Sequence, residues 1–173
     1  MRVLLSAGHS NTDSGAVSGQ YKEAELVTWF RNAVAYYCRE EGLDVVTDGS
    51  GSTNQPLNQA VKMIKGTSLA VEFHLNAAAN KSAKGIEALA QVRDRKISQE
   101  MCKAIHQVTG FPLRGDNGWK PENAGQHNKL AFVSGGGIIL ELFFISNDTE
   151  LKYFLANYWL IAKAVAQVII RHI

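Results

Sequence analysis

The chain has 173 residues, which is long enough for one domain to bury its own hydrophobic core. Its formal net charge of +2 is too small to indicate a nucleic-acid-binding surface, and no run approaches the roughly 20 apolar residues of a membrane span. The two cysteines, Cys38 and Cys102, form no CxxC pair, so a thiolate metal site is excluded and a disulfide framework is not expected.

Strand-like and helix-like segments alternate through the first part of the chain. An apolar run predicts a strand over residues 3–6, and apolar residues at helical spacing predict a helix over 21–41 that ends at Gly42. A second strand is predicted over 43–47, and a modest helix over 56–65. This alternation is typical of helices that connect parallel strands.

The middle of the chain continues the alternation and then changes character. Strands are predicted over 68–75 and 85–92, and a helix over 97–109 that ends at Gly110. The polar, glycine-rich stretch 111–129 is predicted to be a loop. A loop of that length in a compact domain is usually functional.

The last part of the chain is a buried strand followed by a helix. The run 138–145 is apolar except for Glu141, a pattern typical of a strand buried on both faces. A helix is predicted over 149–173, with Asp148 as its N-cap and a break near Asn157. A carboxylate inside the apolar strand requires a cation, hydrogen-bond donors or a raised pKa.

The order of these elements predicts an α/β fold. We expect a single domain over residues 1–173, built on an open, mostly parallel twisted sheet with helices on both faces. Ligands bind to such sheets at the carboxyl ends of the strands. His9 follows the first strand and His74 ends the third, while Glu23 opens the first helix and Glu141 lies toward the end of the last strand. These four side chains are therefore expected at one edge of the sheet.

These four residues have the composition of a catalytic zinc site. Glu23 is predicted on the inward face of its helix, where its carboxylate requires a cation. His9, His74 and Glu23 would provide three ligands and leave a fourth position for water. Glu141 fits the role of a base that takes a proton from that water. The spacing alone leaves two interpretations open, a metal site and a buried ion-pair network.

Several short motifs occur in the same order as in a known enzyme family. They are Ala7-Gly8-His9, Asp13-Ser14-Gly15-Ala16, Lys22-Glu23-Ala24-Glu25-Leu26, Phe73-His74-Leu75-Asn76-Ala77, Gly85-Ile86-Glu87, Leu113-Arg114-Gly115 and Ile139-Leu140-Glu141-Leu142-Phe143-Phe144-Ile145-Ser146-Asn147. By these motifs, which span almost the whole chain, the sequence resembles the zinc-dependent N-acetylmuramoyl-L-alanine amidases of the type-3 family, including single-domain phage lysins.

The resemblance implies that His9, Glu23 and His74 bind zinc and that Glu141 is the catalytic glutamate. The implied reaction is hydrolysis of the amide between N-acetylmuramic acid and L-alanine in peptidoglycan, without an organic cofactor. One alternative is a zinc carboxypeptidase or endopeptidase that acts on the stem peptides. An alternative of another class is a non-catalytic wall-binding module, against which the presence of both ligands and base counts.

The chain departs from the family pattern in two places, and both concern local loop geometry. The family's usual arginine is missing from the predicted helix at 57–62, and Ser10 replaces the glycine that usually follows the first histidine. Relatives that act in cell division carry an inhibitory helix, which residues 115–128 match poorly. We therefore expect an enzyme that acts on peptidoglycan as a monomer, with no activator protein, nucleic acid or membrane insertion.

Three further residues have two interpretations each. Glu72 shares a strand face with His74 and either orients that ligand or pairs with a lysine or arginine. Glu87 either lines the cleft or pairs with Arg114. His127, in the long loop, either touches the substrate or is an exposed histidine without a role.

The N-terminal apolar run, residues 3–5, is too short for the core of a signal peptide. With the resemblance, this predicts a phage lysin that waits in the host cytoplasm before it acts on the cell wall or periplasm. A bacterial enzyme is the alternative.

Overall fold

The structure is a computed structural model that describes residues 1–124 and 129–173 of the chain. The strands are β1 (Arg2–Ala7), β2 (Val17–Ser18), β3 (Tyr21–Lys22), β4 (Asp44–Thr47), β5 (Leu69–Asn76), β6 (Glu87–Leu89), β7 (Trp119–Lys120) and β8 (Ile138–Phe144). The helices are α1 (Glu23–Glu40), α2 (Leu57–Met63), α3 (Arg95–Thr109), α4 (Ala131–Ser134) and α5 (Asp148–His172).

Six of the strands form one open sheet in the order β4-β1-β5-β8-β6-β7. The four strands β4, β1, β5 and β8 run parallel to one another, whereas β6 is antiparallel to β8 and β7 is parallel to β6. The two remaining strands, β2 and β3, pair in a small separate hairpin before α1. The predicted α/β fold with a mostly parallel sheet is confirmed.

Helices cover both faces of the sheet, as the alternation of side chains along the strands requires. On one face, Leu5 of β1 and Phe73 of β5 pack in a large apolar cluster with residues of α1, α3 and α5. On the other face, Leu4 and Ala70 pack in a smaller cluster with residues of α2 and α4. Each fully buried leucine or phenylalanine contributes about 1.5–3 kcal/mol, so the two clusters dominate the stability of the fold.

Helix α5 has 25 residues and contains an 18-residue window with a mean hydropathy of 1.4, so it meets the length and composition of a membrane span. One side of the helix has partners within the fold, since Phe154, Ile161, Val165 and Ile169 are buried in the larger cluster, whereas Trp159 and Leu160 are exposed. The buried side of α5 packs against α1 and α3 in the core.

The observed elements differ from the predicted ones at several boundaries. The helix predicted from residue 21 begins at Glu23, because Tyr21–Lys22 pairs with Val17–Ser18. The prediction of a structureless loop over 111–129 is wrong, since β7 pairs with β6 within it. Residues 125–128 of that stretch lie outside the part that the structure describes.

The start of α5 also differs from the prediction. Its N-cap is Asn147, and not Asp148, because the Asn147 side chain accepts hydrogen bonds from the backbone nitrogens of Thr149 and Glu150. The helix continues without a break at Asn157, whose side chain donates to the carbonyl of Tyr153. The glycines predicted to end α1 and α3, Gly42 and Gly110, do adopt the left-handed conformation.

Candidate metal centre

The four predicted site residues lie at the carboxyl edge of three neighbouring strands, β1, β5 and β8. His9 follows β1, and Glu23 is the first residue of α1. In the sheet register, Glu141 of β8 lies between His74 of β5 on one side and Glu87 of β6 on the other. The structure therefore brings together groups that are far apart in the chain.

Glu23 is the centre of a compact cluster with the two histidines. Its Oε2 lies 3.0 Å from Nε2 of His9, and its Oε1 lies 3.1 Å from Nδ1 of His74. One nitrogen or oxygen from each of the three residues lies within 4.8 Å of the others. Backbone nitrogens hold the carboxylate, because Leu75 donates to Oε1 at 2.9 Å and Ala16 donates to Oε2 at 3.0 Å.

The far nitrogen of each imidazole contacts a further carboxylate. Nδ1 of His9 lies 2.9 Å from Asp13, and Nε2 of His74 lies 3.0 Å from Glu72. This arrangement fixes the orientation of both rings and leaves one nitrogen of each directed at Glu23. Histidines that bind a metal in proteins generally have such a partner on the other nitrogen.

Two glycines make room for the histidine rings. A Cβ atom at Gly8 would lie 2.2 Å from Cε1 of His74, and one at Gly15 would lie 2.5 Å from Cδ2 of His9. His9 itself has a φ of 67°, in the left-handed region that a non-glycine residue rarely adopts. The close approach of the chain to the rings is therefore built into the loops that follow β1.

The ionisable groups perturb one another strongly. Burial would raise the pKa of Glu23, but the hydrogen bonds of His74 and His9 outweigh burial and lower this pKa. Burial would lower the pKa of His74, but the bonds to Glu23 and Glu72 raise it well above the ordinary value. The pKa of His9 is also raised, since the contact with Glu23 exceeds the opposing effect of burial.

Glu141 has the environment of a proton acceptor. The residue is partly exposed to the cleft, but its Oε2 atom is buried and has no hydrogen-bond partner among residues 1–124 and 129–173. Burial raises the pKa of Glu141 to about 7, and the opposing field of His74 only partly offsets this effect. A carboxyl group with such a pKa can accept and return a proton near neutral pH.

The charge balance of the cluster favours a cation over a buried ion-pair network. Four carboxylates, of Asp13, Glu23, Glu72 and Glu141, surround two imidazoles. Within residues 1–124 and 129–173, no lysine or arginine forms an ion pair with any of the four. Two imidazole nitrogens and a carboxylate oxygen are the ligand types of catalytic zinc sites, so this donor set fits a zinc ion.

The cluster opens into a cleft of about 470 Å³, which is lined by the three candidate ligands, by Glu141 and by Glu87. An adjoining hollow of about 360 Å³ shares His9 and His74 with it and has apolar walls. Leu57 and Phe132 belong to these walls. Both spaces therefore border the histidines of the cluster.

Glu87 both lines the cleft and pairs with Arg114, the two roles that were predicted as alternatives. It lines the cleft, and its Oε2 lies 2.6 Å from Nε of Arg114 and 2.7 Å from Nζ of Lys120. Burial would raise the pKa of Glu87, but the hydrogen bonds of Lys120 and Arg114 outweigh burial and lower it. His127, the other loop candidate, lies outside the described residues.

Sequence reasoning assigned no role to Asp13 and Gly8, which both shape the cluster. A signal for Asp13 was present, because a carboxylate four residues after a histidine in a turn-rich loop can reach the ring. The role of Gly8 had no local signal, since the ring that needs the space belongs to another strand. Glu72 was predicted with two alternatives, and its ion-pair partner among the described residues is His74 and not a lysine or arginine.

Comparison with known proteins identifies relatives over nearly the full chain. A sequence profile described as N-acetylmuramoyl-L-alanine amidase matches residues 3–171. A crystal structure of a Neisseria meningitidis protein, assigned as an N-acetylmuramoyl-L-alanine amidase, has 50% sequence identity and a TM-score of 0.93. The match covers 99% of this chain and 94% of that chain.

Two further relatives are more distant. The Staphylococcus aureus (strain NCTC 8325 / PS 47) protein named Probable autolysin PH is 24% identical over 97% of this chain. The chain spans only 38% of the length of that curated relative. The catalytic domain of CwlV, an N-acetylmuramoyl-L-alanine amidase from Bacillus (Paenibacillus) polymyxa, has a TM-score of 0.80 at 24% identity, over 99% of this chain and 97% of that one, and shares the fold.

Proposed function

Since this chain belongs to the N-acetylmuramoyl-L-alanine amidase family, we propose that it hydrolyses the amide between N-acetylmuramic acid and L-alanine in peptidoglycan with a bound zinc ion. The observation that carries the proposal is the cluster of His9, Glu23 and His74 beside the unpaired carboxylate oxygen of Glu141. The cluster lies in a cleft, where a polymeric substrate can reach it.

His9, Glu23 and His74 would hold the ion through the atoms that now face one another. The far nitrogens of the two rings would carry the ring protons and donate them to Asp13 and Glu72. The other nitrogen of each neutral ring would then be unprotonated, with a lone pair for the ion. When bound, zinc would supply Lewis acidity for a water and for the carbonyl of the scissile amide.

Glu141 is the proposed general base and general acid. Its carboxylate takes a proton from the attacking water, and the resulting carboxylic acid then donates that proton to the departing amine nitrogen of L-alanine. The raised pKa of Glu141, about 7, allows both transfers. Within the part of the chain that the structure describes, Oε2 of Glu141 has no hydrogen bond to another side chain that must break first.

The test is digestion of purified peptidoglycan by wild type and Glu141→Ala, each with its zinc content measured. General acid-base catalysis usually contributes about 100-fold or more, so we expect at least that loss in rate with zinc retained. Glu25→Ala is the matched control, because Glu25 lies on the exposed side of α1 and pairs only with Lys22 among the described contacts. Undiminished activity of Glu141→Ala would remove this assignment.

The products distinguish the amidase from the alternatives. The proposed reaction releases peptides with a free L-alanine amino terminus and leaves the glycan unsubstituted. A carboxypeptidase or endopeptidase would instead cut within the stem peptide and leave L-alanine attached to the glycan. A non-catalytic wall-binding module would sediment with peptidoglycan and release neither product.

We further propose that the chain acts as a monomer without an activator protein. In support, the described residues between β7 and β8 form only a short turn and the four-residue helix α4. An inhibitory helix would need more residues than either. The purified chain alone should digest peptidoglycan, and light scattering should give the mass of one chain, 18.9 kDa. Activity that depends on an added protein would contradict this.

The lysin role and the location in the host cytoplasm also belong to this proposal. They are tested by expressing the chain in a bacterium and then permeabilising the inner membrane. Lysis only after permeabilisation is expected of a lysin that waits in the cytoplasm.

A further inference from the structure

An arginine is fully buried behind the candidate metal centre. Arg31 of α1 is 0% exposed and is the largest fully buried side chain among the described residues. Its Nη1 lies 2.8 Å from Oδ1 of Asp48, which is also buried, and 3.1 Å from Oδ1 of Asn54. A buried ion pair is weak evidence for stability, because apolar residues of the same volume often stabilise a core as well or better.

The buried pair is connected to the metal centre through hydrogen bonds. The Ser6 hydroxyl lies 2.7 Å from Oδ2 of Asp48 and 3.2 Å from Oε1 of Glu72. The other oxygen of Glu72 lies 3.0 Å from Nε2 of His74. A continuous path therefore runs from Arg31 through Asp48, Ser6 and Glu72 to a candidate zinc ligand, and we call it the buried relay.

The hydrogen bonds of the buried relay determine which ring nitrogen of His74 carries a proton. Ser6 has one hydroxyl proton for two carboxylates, and the shorter contact gives Asp48 the stronger hydrogen bond and Glu72 the weaker one. Glu72, at 2% exposure, is then left with His74 as its main donor among the described residues. Since a buried carboxylate without a donor is costly, Nε2 of His74 must keep its proton. Nδ1 of His74 is thereby left as the nitrogen that can bind an ion.

The partner of the second histidine is different. Asp13, which contacts Nδ1 of His9, has 64% of its side chain exposed and lies in a loop. Among the described contacts its side chain bonds only to His9 and to the backbone of Gly15. Water competes with this contact, so Asp13 holds its ring less firmly than Glu72 does.

We propose that Glu72 is a positioning residue that sets the tautomer and orientation of His74 for zinc binding, and that the Arg31–Asp48 pair, acting through Ser6, holds Glu72 in place. The role of the buried ion pair is thus to fix a ligand of the metal centre. The identity of the ion rests on the proposed function, whereas the coupling along the buried relay rests on the contacts alone.

The first test is the zinc affinity of Glu72→Gln, measured by competition with a chromophoric chelator. Loss of such a partner typically weakens metal binding about 10- to 100-fold, and we expect a loss in that range. Asp13→Asn should lose less, and the exposed control Glu25→Gln should lose nothing. Circular dichroism of each variant verifies that the fold is retained. An unchanged zinc affinity of Glu72→Gln overturns the proposal.

The second test concerns the coupling along the buried relay. Asp48→Asn touches no candidate ligand, yet it should weaken zinc binding, and the double variant with Glu72→Gln should lose less than the product of the two single effects. If Asp48→Asn does not fold, Ser6→Ala is the substitute, because it removes the bridging hydroxyl with little change in volume. Effects that multiply independently overturn the anchoring role.

These measurements separate the inference from the proposed function. A wild type that binds zinc but releases no L-alanine peptides would contradict the amidase and leave the inference standing. A wild type that binds no zinc would overturn both.

Discussion

At the carboxyl edge of the sheet, burial and neighbouring charges set the pKa values of single residues. One oxygen of the Glu141 carboxyl group is buried, and the neighbours of Glu141 in the sheet register are His74 on one side and Glu87 on the other. Glu87 is neutralised by Arg114 and Lys120, whereas Glu141 has no such cation among the described contacts. Two glutamates that are adjacent in the sheet therefore have pKa values shifted in opposite directions.

The pH dependence of the reaction follows from the pKa of Glu141. The base must be ionised, so activity is present above this pKa and is lost as the pH falls through it. Burial raises this pKa to about 7 from the ordinary 4.5, and a bound dication would lower it from that value. We expect the acid limb of kcat/KM between these two values. A rate that stays constant across this interval would contradict the assignment of Glu141 as the base.

At the level of elements, the ends of helices depend on single side chains. Asn147 lies between β8 and α5, and its side-chain oxygen Oδ1 caps α5. Its side-chain nitrogen Nδ2 also donates to the backbone carbonyls of Lys81 and Ala83, at 3.2 Å each. Asn147 therefore joins the last helix to the loop that follows β5.

The contacts of Asn147 should contribute to the free energy of unfolding. Asn147→Ala should lower the free energy of unfolding by about 1 kcal/mol or more, because both the cap and the loop contacts are lost. Asp148→Ala is the matched control: among the described contacts Asp148 has no side-chain partner, so its loss removes an interaction with the helix dipole and should cost about 0.3–1 kcal/mol. Urea denaturation measures both. A larger loss for Asp148→Ala would mean that the cap is misassigned.

At the level of the whole molecule, the apolar core and the polar edge are separate. The core lies between the sheet and its helices, while the candidate ligands lie on the loops and strand ends beyond it. Small zinc domains unfold without their metal because they lack such a core. This chain has its core independently of the metal centre.

Removal of the metal should therefore abolish activity without unfolding the chain. We expect unchanged far-ultraviolet circular dichroism after treatment with a chelator and a lower Tm, because an ion that binds only the folded state stabilises it. Addition of zinc should restore both activity and Tm. Loss of the cooperative unfolding transition on chelation would show that the core does not suffice.

Whereas the choice of a metal site over an ion-pair network came from the family resemblance, the sequence by itself determined the α/β class and the meeting of His9, Glu23, His74 and Glu141 at one cleft. Both follow from local information, because the period of apolar residues distinguishes strands from helices, and parallel strands have their carboxyl ends at one edge. His9, His74 and Glu141 could be placed there from their positions at strand ends. Helical phase placed Glu23 on the inward side of α1.

Only the tertiary structure decided which groups contact one another across the chain. The pairing of β7 with β6 depends on a neighbour that no local pattern identifies. Glu72 could pair with a lysine, an arginine or His74, and the fold selects His74. Arg31 reads in the sequence as one more charged residue on a helix, yet it is buried against Asp48, 17 residues away. Such contacts depend on distances in space, and spacing along the chain does not specify them.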